Sequence, residues 1–221
     1  MIPCRLGPER RRIVFEQITD SCRSVSDFVP SSLCVFCGSR FGTGPAGRDV
    51  ATRLGRLLAE HRITLVYGGG GVGLMGLVAN AALAAGGRVV GVIPRFLLER
   101  EAGHPALTET VVVDSMHERK LQMFERADGF VVLPGGIGTL EELFEVLSWR
   151  TLGLHTKPIV IIDGSGYWQP LEALLRSIVE GGFADRRHLD HLAFVSSLAE
   201  LLPTIAAMPR EAGPAKRLDR V

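Results

Sequence analysis

Nine consecutive residues, Pro134-Gly135-Gly136-Ile137-Gly138-Thr139-Leu140-Glu141-Glu142, combine backbone groups that can hold an anion with a pair of carboxylates. Residues 129–133 run into them as an apolar strand, and residues 143–147 run out of them with a helical pattern. A strand, a glycine turn and a helix N-terminus in that order aim several backbone N–H groups at one point, at the positive end of the helix dipole. The natural occupant is an anion, a phosphate above all. A carboxylate one helical turn further on would repel that phosphate, so Glu142 points to chemistry on another part of the ligand. Glu145 follows one turn later on the same face. A second reading stands beside this one. Thr139 and Glu142 have the spacing of a capping box, in which both side chains would serve only the helix.

Three further loops carry groups of interest. Gly38 and Ser39 follow an apolar run; the glycine lets a ligand approach the backbone and the serine adds a hydroxyl, although an ordinary strand-to-loop turn would look the same. In Tyr67-Gly68-Gly69-Gly70-Gly71-Val72-Gly73-Leu74-Met75-Gly76, Gly68, Gly70 and Gly73 satisfy G-x-G-x-x-G between a strand and a helix, the setting of a dinucleotide fingerprint. The next strand ends Val92-Ile93-Pro94-Arg95 with no acid to hold a ribose diol, and the motif follows the second strand rather than the first. NAD(P) is therefore disfavoured, and no Gly-Lys-Ser/Thr follows that would make a P-loop. Ligand contact through Gly70 and Gly71 and close helix–sheet packing both stay open. In Asp114-Ser115-Met116-His117-Glu118-Arg119-Lys120, Ser115 and Glu118 form a capping box, which gives Glu118 a structural role. Arg119 and Lys120 then fall in a first helical turn, where the dipole disfavours cations. Either an anion offsets that cost or the two are solvated surface charges.

These loops need a scaffold. Apolar strand candidates fall at residues 33–37, 63–67, 88–93, 110–113, 130–133, 158–162 and, less apolar, 192–195, with helical patterns at 46–60, 74–85, 116–127, 140–152, 168–180 and 198–208. Strands alternating with helices imply an α/β, Rossmann-like three-layer fold, its parallel sheet of about seven strands flanked by helices. In such sheets ligands sit beyond the carboxyl ends of the strands, where all four loops lie. Residues 1–31 read as a polar arm outside the core, of a composition compatible with disorder. Residues 32–209 form the folded domain, and 210–221 a frayed tail.

Composition narrows the classes. A chain of 221 residues suits one α/β domain, and 46% hydrophobic residues suffice for its core. Lys+Arg 25 against Asp+Glu 24 leaves a net charge of +1, with only three lysines: Lys120, Lys157 and Lys216. No global field favours nucleic acid or an anionic membrane, and 6% aromatics offer little to a single-strand stacking groove. There is no run of roughly 18 or more apolar residues that would span a membrane. Arg10-Arg11-Arg12 is not followed by the apolar stretch of a secretory signal. Cys34 and Cys37, three apart in a strand candidate, point to opposite faces; with Cys4 and Cys22 unpatterned, they read as structural thiols of a reducing cytoplasm. No metal ligands cluster.

Taken together, the loops at 67–76, 114–120 and 134–142 resemble the LONELY GUY (LOG) family, the cytokinin riboside 5′-monophosphate phosphoribohydrolases. Pro134 to Glu142 meets the family pattern P-G-G-x-G-T-x-x-E in full, and Met116, His117, Arg119 and Lys120 meet M-H-x-R-K. Tyr67-Gly-Gly-Gly and Gly73-Leu-Met-Gly76 look like the family's G-G-G-x-x-G-L-M-G loop, with Gly71 where the family usually has Ser. Cys34-Val-Phe-Cys-Gly-Ser39, Trp149, Gly153-Leu-His155, Lys157-Pro158 and Asp163-Gly-Ser-Gly-Tyr167 extend the likeness over residues 32 to 202.

The resemblance implies a homodimer that cleaves the N-glycosidic bond of cytokinin riboside 5′-monophosphates or AMP, giving free base and ribose 5-phosphate, with no cofactor and no metal. It implies Arg119 and Glu142 as the catalytic pair. Lys120, Gly135, Gly136, Ile137, Gly138, Thr139, Leu140 and Glu141 would surround the nucleotide, and Glu101 resembles a further substrate-contacting acid. Some family members carry an older label of lysine decarboxylase, which these residues do not support: no lysine is placed for a pyridoxal Schiff base. The alternative is a non-catalytic nucleotide or cofactor carrier on the same fold, since fold does not fix function; Arg119 together with Glu142 favours the enzyme.

Overall fold

Short, almost wholly apolar segments recur along the chain, and a segment apolar on both faces is stable only in the middle of a covered sheet. The computed structural model describes residues 28–98 and 103–209. The arm up to residue 27, the tail from 210 and Glu101 lie outside the described residues. The strands are β1 Ser32–Phe36, β2 Thr64–Tyr67, β3 Val89–Pro94, β4 Glu109–Val113, β5 Gly129–Val132, β6 Ile159–Ile162 and β7 Ala193–Val195. All pair in parallel in the order β4-β3-β2-β1-β5-β6-β7. The helices are α1 Ala46–Glu60, α2 Gly73–Ala84, α3 Arg95–Leu98, α4 Met116–Glu125, α5 Ile137–Thr151, α6 Gln169–Glu180 and α7 Leu201–Ala207. Leu33, Val35 and Cys37 enter the core under α1, α2 and α7, while Cys34 and Phe36 enter the opposite core under α4, α5 and α6. A leucine as buried as Leu33, at 0% exposure, contributes about 1.5–3 kcal/mol relative to an exposed one.

The strand order positions the site. The chain winds outward from β1 through β2 and β3 to β4, then returns and winds the other way through β5, β6 and β7. The direction reverses between β1 and β5, which opens a crevice at their carboxyl ends. Across it the Gly38 N–H donates to the Pro134 carbonyl at 3.0 Å. At the other end of the same strands, Asp128 Oδ2 accepts from the backbone N–H and the hydroxyl of both Ser31 and Ser32. Burial opposes the charge on Asp128, but these hydrogen bonds outweigh it and hold the carboxyl below the usual carboxylate range. Phe28 packs against the first core. Residues 28–31, which the sequence places in the arm, are thus joined to the folded body.

Most boundaries fall within one or two residues of the sequence reading, and three differences bear on the fold. Helix α5 begins at Ile137 rather than Leu140, inside the glycine motif. The helix expected over 198–208 divides into a 3-10 turn, Leu198–Glu200, and α7. Pro203 explains the break, because its ring would clash with the carbonyl four residues back in a continuous α-helix. Cys37 lies just past β1. Among the described residues, no helix is long and apolar enough to cross a membrane.

Candidate active site

The glycine motif builds the first turn of α5. Gly136 is the N-cap, in extended conformation and with no side-chain cap, so Ile137, Gly138 and Thr139 are the first helical residues. Their N–H groups have no carbonyl one turn back within the helix. This overturns the capping-box alternative: the helix starts before Thr139, which is therefore not its cap, and Glu142 lies beyond the positions a cap can use. Thr139 is instead buried at 4% exposure, its hydroxyl packed where a Cβ on Gly135 would sit. The Tyr167 hydroxyl donates to the Gly135 carbonyl at 2.7 Å.

The second glycine loop has the opposite character. The N–H groups of Leu74 and Met75, in the first turn of α2, donate to the Gly38 carbonyl at 3.0 and 3.3 Å. Two of the leading amides of that helix are thus engaged by the protein itself and are not offered to a dinucleotide pyrophosphate. Gly73 holds φ +70°, and a Cβ on it would strike the Ser39 backbone. Here the glycines serve close packing. Gly70 pairs with Gly103 in an isolated antiparallel bridge.

Helix α4 delivers the cations. Ser115 caps it, accepting from the Glu118 N–H at 3.1 Å, and Glu118 reaches back to the Asp114 N–H at 3.0 Å. Arg119, 8% exposed, runs under the sheet edge: Nε donates to the Val92 carbonyl at 3.2 Å, Nη2 to the Gly68 carbonyl at 3.1 Å and Nη1 to Met116 Sδ at 3.8 Å. Strand-end carbonyls thus offset the cost of a cation in the first helical turn. Among the described residues, three of its five N–H donors have partners, and the other two have none.

At the crevice these elements enclose a cavity of about 640 Å³, within the usual size for a small-molecule site. Gly38 and Ser39, Arg119, the run Gly135 to Thr139, and Glu142 line it, with Cys37, Phe41, Leu74, Met75 and Leu97 as its apolar wall. Glu142 is half-buried there. Loss of water pushes its carboxyl up to about 7, against the downward pull of the Arg119 guanidinium. The two are electrostatic neighbours, but they are not in ion-pair contact. A carboxyl balanced near neutrality in a cleft has the properties of a general acid or base.

The remaining candidates stand elsewhere. Lys120 lies outside the cavity wall, its Nζ donating to Glu141 at 2.5 Å and Glu145 at 2.9 Å. Burial lowers its pKa, but the two carboxylates outweigh that and raise it. Leu140 packs against the second core, and Gly70 and Gly71 do not reach the cavity. Among the described residues, no group of three or more His, Cys, Asp or Glu gathers to hold a metal. Sequence reasoning did not single out Arg40, Phe41, Leu97 or Tyr167 as site residues, yet all four line the cavity. Tyr167 follows the carboxyl end of β6 and was within reach of the strand-end rule; Leu97 sits on a single turn that carries no pattern.

A family model described as "possible lysine decarboxylase" matches residues 75–205. A cytokinin riboside 5′-monophosphate phosphoribohydrolase of Rhodococcoides fascians is 50% identical over 155 residues, covering 70% of this chain and 78% of that protein. The phosphoribohydrolase LOG7 of Arabidopsis thaliana is 48% identical over 151 residues, covering 68% and 70%. Among solved structures, the X-ray structure of TM1055 aligns with a TM-score of 0.60 at 26% identity, over 78% of this chain and 96% of that one. A molybdenum cofactor carrier protein from Chlamydomonas reinhardtii aligns with a TM-score of 0.60 at 20% identity, over 80% and 96%, a likeness that speaks for the fold alone. With the full P-G-G-x-G-T-x-x-E run at the mouth of a helix-terminus cavity and half of the residues aligned to a phosphoribohydrolase identical, the chain belongs to the LOG family of cytokinin riboside 5′-monophosphate phosphoribohydrolases.

Proposed function

We propose that the protein hydrolyses the N-glycosidic bond of nucleoside 5′-monophosphates with an adenine-type base, cytokinin riboside 5′-monophosphates or AMP, releasing free base and ribose 5-phosphate. One observation carries this reading: the open amides of Ile137 to Thr139 and the carboxyl of Glu142 line one cavity. Their separation along the helix, about 5–8 Å at 1.5 Å per residue, matches a ribose lying between its 5′-phosphate and its anomeric carbon.

The phosphate docks on the amides, an interaction equal in ground and transition states that supplies affinity and position. As the bond from the base nitrogen to the anomeric carbon breaks, ionised Glu142 stabilises the positive charge growing on that carbon and takes a proton from the attacking water. The hydroxyl adds to the sugar, the proton taken by Glu142 passes to solvent, and the departing base takes one up from solvent. The N–H groups of Arg119 that have no partner among the described residues hold ribose hydroxyls in register. A homodimer is part of the proposal. Ile137, at the cavity and 86% exposed, is an apolar surface that a second copy would cover.

The test is base release from AMP and isopentenyladenosine monophosphate, measured side by side. Glu142→Gln is expected to reduce release by about 10²–10⁴ while leaving the fold intact by circular dichroism. Wild-type rates in that variant would refute the role of Glu142. Nucleotide binding without turnover by the native protein would favour the carrier.

A further inference from the structure

Three carboxylates, Glu141, Glu142 and Glu145, crowd the first turns of α5. Left alone they would repel one another across the reacting group. The two that flank Glu142 converge on a single ammonium: Lys120 Nζ, at 2.5 Å from Glu141 and 2.9 Å from Glu145, with a side chain only 11% exposed. Lys120 is contributed by α4, next in sequence to Arg119, and it does not line the cavity. We propose that Lys120 is a positioning residue, which docks α5 on α4 through an ion triad and keeps the charge of the two flanking acids off Glu142. This rests on the reading of Glu142 as the acting carboxylate.

Among the described residues, the titratable groups that act on Glu142 are Arg119 and Lys120 from α4, Glu141 and Glu145 from α5, and the Cys34 and Cys37 thiols from within and just past β1. Burial pushes both thiols up, so they stay uncharged at neutral pH. Burial likewise drives Glu142 up to about 7; Arg119 and Lys120 pull it down, and Glu141 and Glu145 push it up. Removing only Lys120 leaves two uncompensated anions and must raise Glu142 further. Removing only the two flanking charges must lower it. Removing all three charges must bring it back toward its native value.

The full chain is labelled with ¹³C-glutamate, and the Glu142 carboxyl, assigned by its loss in Glu142→Gln, is titrated in four forms: native, Lys120→Met, Glu141→Gln/Glu145→Gln, and the triple variant. The pH dependence of kcat/KM for base release from AMP is measured on the same samples, the titration of the substrate phosphate being common to all. In Lys120→Met the midpoint is expected to rise by at least about one unit, with release at pH 6 falling about tenfold per unit and recovering by pH 9. The double variant is expected to shift the other way, and the triple variant to return close to native.

An unmoved midpoint in Lys120→Met overturns the proposal. So does a rate loss equal at every pH that the triple variant fails to restore, since that is what a nucleotide contact or a purely structural tie would give. Should Lys120→Met not fold, the downward shift in the double variant decides the matter, and its absence overturns the proposal. If the native protein releases no base, the hydrolase reading fails, while the carboxyl titration still reads the role of Lys120.

Discussion

Arg119 reaches the cavity through the space that Gly68 leaves by having no side chain. A Cβ on Gly68 would meet Nη2 head-on, and the carbonyl of the same glycine accepts a hydrogen bond from that Nη2 at 3.1 Å. One residue both makes room for the guanidinium and holds it. Gly68→Ala changes no charge and deletes no hydrogen-bonding group, yet it must displace Arg119. The expected outcome is a loss of at least about tenfold in kcat/KM for base release with a destabilisation of about 1–3 kcal/mol from overpacking, read by steady-state kinetics and denaturant unfolding. Unaltered kinetics in a folded variant would show that the position of Arg119 does not matter to turnover.

Tyr167 lines the cavity beside the first turn of α5, where the phosphate is proposed to bind. Its hydroxyl covers the Gly135 carbonyl, an oxygen that would otherwise repel a phosphate beside it. Tyr167→Phe is expected to raise KM for nucleoside monophosphates by roughly twofold to tenfold, the equivalent of one hydrogen bond, with kcat little changed. Competitive inhibition by ribose 5-phosphate should weaken in parallel. An unchanged KM and inhibition constant would make the hydroxyl a bystander.

Acid sensitivity should trace to His155. Its Nε2–H donates to the Val146 carbonyl at 2.8 Å, Nδ1 accepts from the Lys157 N–H at 3.1 Å, and its ring packs edgewise on Phe124 at 5.0 Å. This arrangement requires the neutral ring, and burial lowers the pKa to about 4. The folded value lies below the unfolded one. The contribution is therefore complete above about 6.5, the ordinary histidine value, and is lost as pH falls toward about 4, a change on the order of 3 kcal/mol. Denaturant unfolding from pH 7.5 to 4 measures it. In His155→Gln the baseline drops, but the slope over that window should flatten; an unchanged slope would assign the acid sensitivity to other groups.

The sheet was legible because a parallel strand covered on both faces has no polar positions to confuse it: Val131 and Phe130 are equally buried although they face different cores. The N-cap of α4 was legible for a local reason, since Ser115 and Glu118 satisfy each other's neighbourhood within one turn. The start of α5 was not. Glycines read as helix breakers, whereas Gly138 costs only about 1 kcal/mol of helix propensity in a turn held by Thr139 and Tyr167. The partners of Lys120 were hidden as well, because Glu141 and Glu145 lie a full strand and loop away in sequence and meet it only when α4 and α5 pack. The same holds for Gly68 and Arg119, which no sequence window brings together. What the residues disclosed by themselves was local pattern; what they withheld was every contact made across the switch point or between helices.

Two helices of this chain begin after a strand and a run of glycines, and they treat their leading amides differently. In α2 the amides of Leu74 and Met75 donate to the Gly38 carbonyl, while among the described residues no such loop carbonyl meets those of Ile137, Gly138 and Thr139 in α5. If the α5 amides hold a phosphate as proposed, a second, linked phosphate would find the amides of Leu74 and Met75 already engaged by peptide. On that proposal, a preference for one terminal phosphate over two would be written in the backbone rather than in side chains. It is correspondingly hard to alter by point substitution: a second seat would require moving the loop after β1, and with it the hydrogen bond from Gly38 to Pro134 that spans the two halves of the sheet.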